Sequence, residues 1–333
     1  MAAWGFGGVR GTLPAHVNGT GRGSQSAGIS EVRLHKKQCK NQNAGYDARM
    51  FNLVDTKNPS AVRAEADAIY AELFPKGDVA LVGQAFEWAG QCFGGQCEGY
   101  QAIDSLYHDF EHTLQGTLCL VRLLRGRHRA HASPAISQRM FEMALVGILF
   151  HDTGYLKVTD DHEGTGAKYT AIHVMRSGEF ADKFLSGKGW SKTEINAVRH
   201  MIRCTGVNVS IATIPFQSPE ERLAGFALAT ADLLGQMAAE NYVERLSDLY
   251  LEFEEAARFE EGKASKLIRF ESADDMMGKT PEFWQFYVIP KVTNDFEGIY
   301  NYLKEPYPDG PNEYVQRVES NLARLKRKLE AAS

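Results

Sequence analysis

No apolar run in the sequence approaches the roughly 18 residues that a membrane-spanning helix needs. The N-terminus also lacks the charged start and apolar core of a secretory leader, so a cytoplasmic protein with no membrane partner is expected. Cysteine is scarce. Cys39, Cys92, Cys97, Cys119 and Cys204 form no even, regular framework, and the Phe-Gly-Gly-Gln spacer between Cys92 and Cys97 is not zinc-finger spacing. All five read as plain thiols in a reducing compartment. A net charge of -5 supplies no excess of one sign that would point to a nucleic-acid polymer or an anionic membrane surface. Strand signals are nearly missing as well. The stretch "VNVSIATI" (207–214) is the one β-rich segment, and it reads as a loop between helices.

Helical patterning occupies most of what is there. Residues 1–48 are the exception: Gly-rich, basic and without periodicity, they cannot bury enough apolar surface to order themselves. Ordinary globular sequence starts near Met50, which is expected to be the native start, with the preceding segment a tail or cloning remnant. Beyond it, "SPAISQRMFEMALVGILF" predicts a helix with Ser133 as N-cap and Pro134 at its first position. "SKTEINAVRHMI" opens on a capping box, Ser191 with Glu194. Ser218-Pro219 and Thr280-Pro281 predict two further helix starts. Near the C-terminus Val315, Val318, Leu322, Leu325 and Leu329 make an apolar stripe, for packing against the body or, alternatively, for a homodimer seam. The expectation is an all-α fold with a helical region over 49–100, a central domain over 101–258 and a C-terminal helical region over 259–333.

The histidines concentrate chemistry in the central part. His108 and His112 are four residues apart and share one face of a helix. His151 and Asp152 stand side by side at the end of an apolar helix, His162 follows in a Gly-rich stretch, and His200 sits on a helix whose Ile195 and Ala197 are apolar. Asp232 is surrounded by Ala229, Ala231, Leu233 and Leu234. A carboxylate in such company must be paired or coordinated. Arg222 or Arg245 could pair with it, but a divalent metal with imidazole co-ligands accounts for the ordered set as a whole.

These residues resemble the HD-domain superfamily of metal-dependent phosphohydrolases. "LFHDTGY" is similar to its His-Asp signature, "HEGTGA" to the His-x-x-x-Gly-Ala step of two-metal members such as the HD-GYP group, and "VRHMI" and "TADLL" to the last two ligand steps. "YHDFEHTLQG" resembles the Tyr-His-Asn-x-x-His motif of cyclic-nucleotide phosphodiesterases, with Asp109 in place of Asn. The resemblance covers about 101–258 and implies a helical bundle. It implies a first metal on His112, His151, Asp152 and Asp232, and a second on Asp152, His162 and His200. His173 is the alternative to His162; the Gly164, Gly166 and Ala167 context favours His162. There are departures: Tyr155 stands where HD-GYP proteins have Lys, and their Gly-Tyr-Pro element is missing. Gln285 and Phe286 match the phosphodiesterase base clamp only loosely.

What the resemblance implies chemically is hydrolysis of a small-molecule phosphate ester, a cyclic nucleotide or other phosphodiester. A metal-bridging hydroxide would be the nucleophile and His108 the general acid. Arg203 could reach a phosphate oxygen, as could Lys157 or Lys168. The His and Asp donor set suits two divalent ions of Fe, Mn, Zn, Ni or Co better than Mg. Two rivals are a di-iron oxygenase of the same fold, cleaving a C–P or C–C bond, and a binding module with a degenerate site.

Overall fold

Side-chain caps write most of the helix starts. The computed structural model describes residues 54–260 and 270–332. Among these, ten α-helices carry an all-α fold, and β pairing is limited to two isolated bridges, Tyr100–Val158 and Lys304–Asn312. The expectations for residues 1–48 and Met50, and Cys39 with them, lie outside the described residues.

α1 (Pro59–Leu73) is capped by Asn58, and α2 (Ala80–Phe93) follows it. α3 (Phe110–Arg129) starts where the Asp109 carboxylate accepts from His112 N at 2.9 Å. α4 (Gln138–Phe150) and α5 (His173–Gly187) flank the His-Asp segment. α6 (Lys192–Arg203) carries the predicted capping box of Ser191 and Glu194, and α7 (Pro219–Met237) opens on Ser218 with Pro219 at its first turn, as read from the sequence. α8 (Tyr242–Phe259), α9 (Ala273–Phe283) and α10 (Glu313–Ala332) complete the chain. Residues 207–214 form a loop with one short turn, Ile211–Thr213, as expected.

Two predicted starts move. α4 begins at Gln138 under Ser137, not at Pro134, because the Pro134 carbonyl accepts from the Arg127 guanidinium at 2.7 Å and is held outside the helix. α9 begins at Ala273, where Ser272 accepts from Asp275 N at 3.1 Å. Thr280 and Pro281 therefore lie inside the helix, with Thr280 Oγ1 donating to the Met276 carbonyl at 3.1 Å. Two π-type turns, Trp284–Val288 and Lys291–Asp295, follow it.

The central pair is α3 against α7, with α4 and α6 packed on them, α1 against α3, and α9 and α10 covering α7 and α8. α4 is buried all round from Met140 to Phe150, as befits a helix at the middle of a core. In α10, Val318 and Leu325 are fully buried and Asn321 Nδ2 donates to the Met237 and Ala239 carbonyls, so the stripe packs against the body, with Val315, Leu322 and Leu329 partly buried. The crossing of α3 and α7 depends on Gly235, which lies against the α3 backbone. A Cβ at Gly235 would fall 2.7 Å from the Gln115 carbonyl oxygen and 2.9 Å from the Gly116 Cα. This close approach sets His112, one turn before Gly116, beside Asp232.

Gly235→Ala is therefore expected to cost about 1–3 kcal/mol by overpacking, whereas Gly278→Ala, on an exposed turn of α9 with nothing within 4 Å, is expected to gain up to about 1 kcal/mol of helix propensity. Urea midpoints of the two variants check this. A second expectation concerns acid. Burial pushes the Glu194 carboxyl up, but Arg139 and the Ser191 cap outweigh it and lower it to about 2. A depressed folded value gives stability that is present above the ordinary 4.5 and lost as pH falls through about 2. Glu194→Gln is expected to flatten the stability profile in that window, measured by urea unfolding across pH.

Candidate metal centre

α4 ends in the core, so the two residues that follow it emerge buried: His151 is 1% exposed and Asp152 2%. α3 brings His112 and α7 brings Asp232 to the same point. His112 Nε2 lies 3.2 Å from Asp152 Oδ2 and 3.4 Å from Asp232 Oδ1, and His151 Nε2 lies at the same two distances from the same two atoms. His151 Nδ1 donates to the Ile148 carbonyl at 2.7 Å, which turns Nε2 toward the carboxylates.

Electrostatics make the cluster a trap for positive charge. Burial opposes ionisation, yet the neighbouring imidazoles hold Asp152 and Asp232 well below the usual carboxylate range. Conversely, burial pulls His112 down, but the two carboxylates raise it to about 9, and the same balance places His151 well above its ordinary value. Both ring nitrogens of His112, His151 Nε2 and Asp152 Oδ2 are buried with no hydrogen-bond partner. Such atoms are costly unless satisfied. Ligand atoms 3.2 and 3.4 Å apart fit a shared cation about 2.0–2.2 Å from each. The residues present could therefore hold a metal ion, and their two imidazoles and two carboxylates are a transition-metal donor set.

Two more histidines border the cluster. His108 groups with His112 and Asp152. Its Nδ1 meets Glu252 Oε2 at 2.5 Å, and Glu252 Oε1 accepts from the backbone N–H of Tyr107 and of His108. Burial pushes the Glu252 carboxyl up, but His108 and these donors hold it below the usual range. His173 Nδ1 donates to the Thr170 carbonyl at 2.7 Å, and its Nε2 lies 3.8 Å from Asp152 Oδ1. Tyr155 stacks between the two rings, 4.7 Å from His108 and 4.8 Å from His173 by centroid.

His173, not His162, thus borders the cluster. α5 is laced to the His-Asp turn: Ser177 Oγ donates to the His151 carbonyl and accepts from Gly154 N, and Arg176 donates to the Gly154 and Leu156 carbonyls. A Cβ at Gly154 would overlap the His173 carbonyl, so only glycine lets α5 start this close. His162 is exposed. The glycine context that favoured it serves the loop instead: Gly164 has φ +58, Lys157 Nζ donates to its carbonyl, and Thr165 donates twice to Glu255.

His200 also turns elsewhere. Its Nδ1 meets Glu221 Oε1 at 2.6 Å. Glu221 precedes Asp232 by three turns of α7, or about 16 Å of rise. Arg203 ends α6 on that same side, next to Cys204, whose Sγ packs at the Gly225 position. Neither residue joins the cluster. Lys157 pairs with Asp104 at 2.7 Å and Lys168 with Asp161 at 2.5 Å, which ties both to the loop. Gln285 and Phe286 are exposed. Arg222 pairs with Glu297 and Arg245 with Asp109, so neither arginine neutralises Asp232. Glu252 escaped the sequence reading because an acidic residue in "LYLEFEEAARF" looks like any helix-surface charge.

The family model of Npun_R2479-like proteins matches residues 80–166 and 157–324. The chain belongs to this Npun_R2479-like family. No curated protein matches the chain. The matched stretches take in every residue of the cluster from His108 to Asp232 and Glu252 as well, so the whole centre falls within the Npun_R2479-like region.

Metal content of the purified protein is expected to fall by at least half in Asp152→Asn, which faces both His112 and His151, and to fall in His173→Ala. His162→Ala and His200→Ala are expected to leave it unchanged. Elemental analysis after equilibration with Mn, Fe, Ni or Zn makes the measurement, and loss of metal in His162→Ala would restore that residue as a ligand.

Proposed function

We propose that this Npun_R2479-like protein is a metal-dependent phosphohydrolase of the HD type, acting on a small phosphodiester. The observation that carries the reading is the convergence of buried, unpartnered His112, His151 and Asp152 atoms, with Asp232, beside a histidine backed by a carboxylate. One ion would rest on His112, His151, Asp152 and Asp232, and a second on Asp152 and His173. When bound, the metal supplies Lewis acidity toward a phosphoryl oxygen.

The chain's own residues do the rest. Glu252 takes the Nδ1 side of His108, so Nε2 is left to move a proton at the site. That nitrogen delivers the proton to the departing ester oxygen. Tyr155 fixes the planes of His108 and His173 by stacking on both. The exposure of Gln285 and Phe286 gives no support to a base clamp, so the reading is of phosphodiesters in general, cyclic nucleotides among them. The same donor set would serve a di-iron oxygenase. The pairing of His108 with Glu252 favours hydrolysis, because oxygenation has no leaving group to protonate.

A panel of phosphomonoesters, cyclic nucleotides and other phosphodiesters, run with each metal, tests the activity. Oxygen uptake without phosphate-ester cleavage would replace it with the oxygenase. His108→Ala is expected to keep its metal and lose about 10²–10⁴-fold in turnover on alkoxide leaving groups. The loss should shrink for nitrophenolate, which leaves without a proton. Equal losses on both would remove His108 as the acid.

A further inference from the structure

We propose that Cys92 and Cys97 form a redox-active dithiol, a modification site that closes to a disulfide by exchange with an oxidised low-molecular-weight thiol such as glutathione disulfide. Both are free thiols, and their Sγ atoms lie 3.1 Å apart. A disulfide needs about 2.05 Å, so an approach of about 1 Å joins them. The chain between them doubles back at two glycines, which brings the thiols together. α2 ends at Phe93, and Gly94 and Gly95 make the turn, Gly95 at φ +72 in the left-handed region that favours glycine.

The two thiols have different surroundings, which assigns their roles. Cys92 is fully buried at the end of α2, whereas Cys97 is half-buried in the loop and reachable. The hydrogen bond from Cys92 lowers the Cys97 thiol against the opposing effect of burial, with help from the Lys188 ammonium. The same contact and burial push Cys92 up. A reachable, more acidic thiol beside a buried one is the arrangement of an attacking and a resolving cysteine. The Cys97 thiolate attacks one sulfur of glutathione disulfide and releases one glutathione thiolate. Cys92 then loses its proton and attacks Cys97 Sγ, releasing the second glutathione. Two protein thiols and one glutathione disulfide become one protein disulfide and two glutathione thiols.

The bond would form at an anchor of the His-Asp segment. Immediately after Cys97, Thr159 N donates to the Gly99 carbonyl at 3.1 Å, Gln101 N donates to the Lys157 carbonyl at 2.9 Å, and Tyr100 bridges to Val158. Cys119 and Cys204 are buried on other helices and serve as internal controls.

The test uses the reduced full-length protein, freed of reductant and incubated with excess glutathione disulfide. It is then digested in acid and read by mass spectrometry. The expected product is a segment holding Cys92 and Cys97 that is lighter by two hydrogens and restored by dithiothreitol, with Cys119 and Cys204 unmodified. Cys92→Ser is expected to trap glutathione on Cys97, and Cys97→Ser to leave Cys92 untouched. A glutathione adduct that persists on Cys97 in the unsubstituted protein overturns the proposal. So does a Cys97–Cys39 link, or a protein whose Cys97 fails to react. The unsubstituted protein decides the matter even if either variant does not fold.

Discussion

Two ionised carboxylates inside an apolar core need positive charge, and the rest of the structure is organised around supplying it. Asp152 follows α4 and is 2% exposed, and Asp232 lies on α7 with its side chain 13% exposed. Among the described residues no lysine or arginine pairs with them: Arg222, Arg245, Lys157 and Lys168 are all engaged elsewhere. What faces them is imidazole, from α3, from the end of α4 and from the start of α5. An imidazole can meet this demand as a cation or as a neutral ligand to one. A divalent ion would satisfy both carboxylates, and the Nδ1–H bonds of His151 and His173 to backbone carbonyls leave each Nε2 free to ligate it.

Around this centre the polar contacts form successive supports. Glu252 holds His108 and the backbone that carries it. Ser177 and Arg176 hold the His-Asp turn against α5. Each support comes from a helix remote in sequence, so the site is a product of the tertiary packing and not of any single motif. The span of the Npun_R2479-like match, which runs through α9 and into α10, includes all of these supports.

The helical class was legible because periodicity and caps are local. Ser191–Glu194 and Ser218–Pro219 declare themselves within four residues, and the buried run of α4 shows in its composition. The convergence of His112, His151, Asp152 and Asp232 was legible too, from their order along the chain taken together. His173 and His162 show where local reading stops. Both sit near the His-Asp pair, and the glycines beside His162 suggested a ligand loop. What decides between them is the Gly154–His173 contact and the grip of Ser177 on His151, which join residues across the chain. His200 was misplaced for a related reason. Its helix was read correctly, but the choice of partner, Glu221 over Asp152, depends on how α6 lies across α7. Ser133 and Thr280 illustrate the same limit for helix starts, where Arg127 and Ser272 overrule a local Ser/Thr-Pro pair.

The glycine crossing of α3 and α7 does two jobs with one contact. It is a close backbone approach at the centre of the body, and it also sets the separation of His112 from Asp232. An ion bound there would couple its binding to folding, since an unfolded chain has no such separation to offer. Thermodynamic linkage follows: free ion at 100 times its dissociation constant would add about 2.7 kcal/mol to the folded state. The amount of intact protein in a cell would thereby track the supply of the metal, with no dedicated sensor beyond two helices that touch at glycine.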